Sequence, residues 1–264
     1  MSAVADWTLL NDHWPAVTGA GNPQTTIGRI ELAAAPTDPL TIYAMASDAN
    51  SATRSVQGVY KSTDGGSTWT QTGTSSSFSG CSGAGSQMWY DAGITVSPTD
   101  ANVIFASTVD LFRSTNGGAN FTNLTNAYCG GPVHPDNHAR AFVGGDPNRL
   151  LNGNDGGVYY ISNAMGAASW IALNDTLPTI EVYHGDITAN FAASASAGVA
   201  AGFQDNGSAV AVFSGDPSAT PWTHVFGGDG IVSRIEPVLG QRWYASSQNG
   251  NVVVSTNGPN DPDS

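Results

Sequence analysis

Short runs rich in β-branched and aromatic residues, bounded by Gly, Ser, Asn and Asp, recur along the whole chain and predict strands rather than helices. One unit reads Ala92–Ser97, Val103–Thr108, Leu111–Ser114 and Phe121–Leu124. The next reads Ala139–Val143, Leu150–Gly153, Val158–Ile161 and Trp170–Leu173. Each unit carries a Ser-led turn and an aromatic seven or eight positions on: Ser62 to Trp69, Ser114 to Phe121, Ser162 to Trp170 and Ser214 to Trp222, with Ser255-Thr256-Asn257-Gly258 last. The serines are spaced by 52, 48, 52 and 41 residues, a period that suits a four-stranded propeller blade.

The repeat predicts one all-β domain over residues 1–264, a five-bladed propeller with blades at about 27–73, 91–125, 137–175, 184–226 and 229–258. The last unit has only three β-rich runs. The stretch Trp7 to Pro15 copies Trp170 to Pro178, so residues 6–11 are expected to pair with the last blade and close the ring. A fragment of a longer array is the alternative.

Composition narrows the function. Three Glu and one Lys leave little material for exposed helices. A net charge of −13 repels a phosphate backbone and disfavours nucleic acid. No apolar run reaches the length of a membrane span, so no membrane partner is expected, and a monomer is the expectation for the quaternary state. Cys81 and Cys129, in Gly/Ser-rich stretches, are poorly spaced for zinc and better read as one disulfide. Ala3-Val4-Ala5 fits a small-residue cleavage pattern, which together with the disulfide suggests a secreted or periplasmic protein.

Ser62-Thr63-Asp64-Gly65-Gly66-Ser67-Thr68-Trp69 matches the Asp-box of BNR-repeat proteins, and Ser114 to Phe121 is a degraded copy. The whole chain resembles secreted bacterial BNR-repeat propellers related to sortilin-type domains and xyloglucanases. Trp89-Tyr90-Asp91, the stretch His134 to Ala139, Asn154-Asp155-Gly156-Gly157, Gln204-Asp205-Asn206-Gly207 and Gly227-Gly228-Asp229-Gly230 look like that group's recurring segments. The resemblance implies a propeller and, more loosely, a carbohydrate ligand. A sialidase-type arginine clamp is not evident among the seven Arg.

Strand parity sorts the loops, because turns of an antiparallel meander alternate between its two ends. The Ser-led turns share one end. Asp91, His134, Asp136, Asp155, Asp205 and Asp229 fall at the other and predict an acidic mouth. Two functions fit it. In a glycoside hydrolase, Asp91 or Asp205 would serve as acid and Asp229 as its partner, with Trp89, Tyr90, Tyr183 and Asp155 binding substrate. In a non-catalytic module, the same mouth would bind a polysaccharide or a protein. His134, Asp136 and His138, at i, i+2 and i+4, would lie on one side of an extended segment and suggest a metal, Ca2+ ahead of Zn2+; the competing reading is a turn capped by Asp136.

Overall fold

The computed structural model describes residues 27–50, 52, 54–81, 83–177, 180–189, 191, 197–213 and 220–258. The chain divides into two compact units, Met1–Leu177 and Pro178–Ser264.

The first unit holds three four-stranded antiparallel sheets in chain order. They are β1 (Ile27–Ala35) to β4 (Thr70–Thr74) through β2 (Asp38–Asp48) and β3 (Val56–Ser62); β5 (Gly93–Val96) to β8 (Thr122–Asn123) through β6 (Ile104–Ser107) and β7 (Leu111–Ser114); and β9 (Asn137–Phe142) to β12 (Trp170–Ala172) through β10 (Leu150–Asn154) and β11 (Gly157–Ile161). The second unit adds a four-stranded sheet, β13 (Val182–Ile187), β14 (Gly198–Phe203), β15 (Gly207–Val212) and β16 (Trp222–Phe226). Its other sheet has three strands among the described residues, β17 (Gly230–Ile235), β18 (Trp243–Ser247) and β19 (Val252–Ser255). The fold class is therefore all-β, built from successive sheets with the meander topology of propeller blades. The expected closing strand at residues 6–11 lies outside the described residues. No helix among the described residues is long and apolar enough to cross a membrane.

Period-two alternation explains the core of the first unit. On β6, Ile104 and Ala106 pack with Tyr43, Met45, Val59 and Phe112, while Phe105 packs with Leu111, Leu150 and Ile161. The second sheet is thus apolar on both faces, because it is sandwiched between the first and the third. Phe105 and Phe112 are completely buried, each contributing about 2–3 kcal/mol of transfer free energy. In the second unit, Ala200, Val210, Ile235 and Trp243 make the corresponding cluster.

The Ser-led turns join β3 to β4 and β7 to β8. In the first, Thr68 donates to Asp64 from its amide (2.8 Å) and its hydroxyl (2.6 Å), and Gly66 N–H donates to Ser62 Oγ (2.8 Å). In the second, Asn116 Oδ1 accepts from the Asn120 amide (3.0 Å) and Gly118 N–H donates to Ser114 Oγ (2.9 Å). These bonds hold Asp64 well below the usual carboxylate range, at about 2, chiefly through the Thr68 hydroxyl. Gly118, at φ 90°, meets the neighbouring sheet: a Cβ on Gly73 would lie 2.6 Å from its carbonyl oxygen.

Candidate functional site

Three segments of the first unit converge at the end of the sheets opposite the Ser-led turns. The lead-in to β5 is a single helical turn, α1 (Met88–Asp91), started by Gln87 in the left-handed region at φ 60°. Met88 is buried in the core, which leaves Trp89 and Tyr90 projecting, 58% and 39% exposed. Arg29 on β1 holds this turn from outside: Nη1 donates to the carbonyls of Trp89 (3.2 Å) and Tyr90 (2.7 Å), and the guanidinium pairs with Glu31 (2.7 Å).

The lead-in to β9 carries His134 and Asp136. Asp136 is left-handed at φ 62°, and its amide donates to Val109 O (2.9 Å). The turn between β10 and β11 supplies Asp155. Below them, the Ser107 hydroxyl lies 3.1 Å from Asp91 O and 2.9 Å from Asn137 O and accepts a bond from Arg140 Nη1. One buried hydroxyl therefore ties together the backbones that carry Asp91 and Asp136. Burial pushes Arg140 down to about 10, with Glu31 opposing the shift.

Asp91 is wholly buried, and neither of its carboxyl oxygens receives a bond from an N–H or a hydroxyl. Its polar neighbour is the Asp136 carboxyl, itself held by Gln87 Nε2 (2.9 Å). Burial first and the Asp136 charge second push Asp91 up to about 8, and burial also raises Asp136. Asp155 pairs with His138 Nε2 (2.6 Å) and accepts from the Tyr90 hydroxyl (3.2 Å). The Tyr90 ring stands edge-on to His138, centroids 4.6 Å apart, and lies 5.5 Å from the Trp89 ring.

The structure thus gathers Trp89, Tyr90, Asp91, Asp136, His138 and Asp155 in one place. The row of ligands that an extended His134–His138 would present is not formed. Asp136 adopts a turn conformation, strand pairing starts only at Asn137, and His134 directs Nδ1 towards Pro135 O (3.2 Å). Asp91 is sealed from solvent, so a substrate does not reach it in this conformation. In the second unit, Asp229 Oδ1 accepts the Asp205 amide (3.2 Å), Asp205 is left-handed at φ 61°, and Tyr183 is exposed on β13. Asp229 thus caps the turn between β14 and β15. Gln87 and Arg29 belong to the site without having been singled out as ligands. Arg29 lies near the start of β1, the first strand of its sheet, and the left-handed Gln87 carried no signal in the sequence.

No family model and no curated protein matches the chain. Solved structures that it is similar to include a GH74 enzyme of Niastella koreensis, at 18% identity and TM-score 0.43 over 89% of this chain and 37% of that one. The GH74 xyloglucanase of Xanthomonas campestris follows at 16% identity and TM-score 0.41, over 87% and 37%. YCF48 from Cyanidioschyzon merolae matches at 14% identity and TM-score 0.36, over 89% and 68%. The chain spans 37% of the length of the two GH74 structures.

Proposed function

We propose that the protein is a carbohydrate-binding propeller of an extracytoplasmic compartment, with its recognition face at Trp89, Tyr90, His138 and Asp155. The observation that carries this reading is the pair of exposed, adjacent rings of Trp89 and Tyr90 beside a fixed His138–Asp155 pair. Aromatic faces stack on the apolar face of a sugar ring, and the neighbouring polar groups bond its hydroxyls. The disulfide supports a location outside the reducing cytoplasm. Calorimetric titration with a panel of soluble polysaccharides tests the reading. One glycan should bind, and Trp89→Ala should weaken it about tenfold or more. Binding to none of the panel, or binding indifferent to Trp89→Ala, overturns it.

Glycoside hydrolysis is the second reading, favoured by one proximity: carboxylate oxygens of Asp136 and Asp155 lie within 4.8 Å of one another, close enough for the two-carboxylate chemistry of retaining enzymes and too close for the wider pairs of inverting ones. With Asp91 sealed, Asp136 and Asp155 are the pair in the first unit that this chemistry would use. Asp205, Asp229 and Tyr183 are candidates in the second unit. New reducing ends released from the bound glycan, and lost in Asp155→Asn, would establish hydrolysis; their absence leaves a binding module.

A further inference from the structure

We propose that the space between the two sheets of the second unit binds a small uncharged alcohol through the buried hydroxyls of Ser208 and Ser233. Alternation along the strands builds the layer. Gly198, Ala200 and Gly202 share one face of β14, with Ser208 and Val210 beside them on β15. Ser233 and Ile235 on β17, Trp243 and Ala245 on β18, and Val253 on β19 share a face of the next sheet. The two faces meet, since Ala200, Val210, Ile235 and Trp243 form one cluster. Glycines bring the sheets close at both ends of β14. A Cβ on Gly202 would lie 2.8 Å from the Gly230 carbonyl, and one on Gly198 would meet the Trp243 ring. Between these contacts the side chains are small and leave a cavity of about 30 Å³, lined by Ala200, Ser208, Val210, Ser233, Trp243 and Val253 among others.

The polar groups of this cavity point to a ligand. Ser208 and Ser233 are each 1% exposed, and among the described residues neither hydroxyl has a hydrogen-bond partner. A hydroxyl buried in that way is costly until a group arrives that accepts from it or donates to it. No charged side chain lines the cavity, which disfavours an ion. The remaining wall is carbon. Even the Trp243 indole offers only its ring, because Nε1 donates to Gly240 O (2.7 Å). Water would serve the two hydroxyls but not the apolar wall. One water needs about 10–15 Å³, so the space holds about two such groups, a hydroxyl and one or two carbons. An alcohol fits these limits: its oxygen both donates and accepts, and its carbons face Ala200, Val210 and Val253.

The test is an NMR titration of the full chain with ethanol, and in parallel with formate, which has as many heavy atoms but carries a charge. So small a ligand reaches at best about millimolar affinity. Ethanol should cause saturable shifts at the amides of Ser208 and Ser233 and at the Trp243 indole, and formate should not. Ser208→Ala and Ser233→Ala keep the shape of the layer and remove only a hydroxyl, so both should fold and each should weaken binding about fivefold. Shifts that never saturate, shifts spread evenly over the whole chain, an equal response to formate, or unchanged affinity in both serine variants would each overturn the proposal. The cavity and Trp89 belong to different units, so either outcome is independent of whether a glycan binds at Trp89.

Discussion

Cys81 and Cys129 are joined across 48 residues, with their Cα atoms 5.9 Å apart. The bridge links the loop that leads into Gln87 and α1 to the loop that leads into Asp136. Removing it with the double substitution Cys81→Ser, Cys129→Ser frees a closed loop of that length in the unfolded chain. The loop-closure entropy amounts to about 4 kcal/mol at 25 °C. Urea unfolding followed by tryptophan fluorescence reads this directly. With a denaturant slope of about 2 kcal/mol/M, the midpoint of the first unit should fall by roughly 2 M. Amide exchange should quicken first at Asp91 and Asp136, whose backbones lie downstream of the two cysteines, and last at Ile161 in the core of the third sheet. A midpoint that falls by less than about 0.5 M at unchanged slope would refute the reasoning, because the bridge would then constrain nothing that the sheets do not already hold.

The Asp64 carboxylate, held at about 2, contributes stability that is present above its unfolded value near 4 and is lost as pH falls through about 2. Asn116 fills the same place in the second turn without a charge, so Asp64→Asn should flatten the acid limb of a Tm-against-pH curve between about pH 4 and 2. Gly118→Ala, at φ 90° with a new Cβ 2.7 Å from Thr72 Oγ1, should cost about 1–3 kcal/mol in urea unfolding. Arg29→Ala should raise the mobility of Trp89, seen as lower fluorescence anisotropy, and cost about 1–2 kcal/mol. Arg29→Lys should not rescue it, because an ammonium lacks the planar fork that spans two carbonyls.

Much of the sheet order was legible from the Ser-led turns, because a Gly at positive φ and a side-chain oxygen that closes the turn leave a residue signature. The run Leu111–Ser114 is a strand with those bounds. Strand parity also brought Asp91, Asp136 and Asp155 to the same end of the first unit. What the pattern could not convey was depth. Burial of Asp91 depends on how a one-turn helix folds over Ser107, and that fold rests on Gln87 at φ 60°, a conformation that no glycine announces. The spacing of His134, Asp136 and His138 misled for a similar reason. Alternation carries meaning only inside a paired strand, and Pro135 with the left-handed Asp136 delays pairing until Asn137. Arg29 holds α1 through backbone carbonyls, which leave no trace in composition.

The contact between Gly73 and Gly118 sets the gap between neighbouring sheets at their outer margin, backbone against backbone. Spacing governed there leaves the far ends of the strands relieved of that duty. The exposed side chains there, Trp89 and Tyr90, are consequently open to exchange without altering how the layers stack, whereas Met88, Asp91 and Asp136 of the same segments stay packed in the framework. This separation of framework from recognition makes the first unit a natural chassis for new specificities.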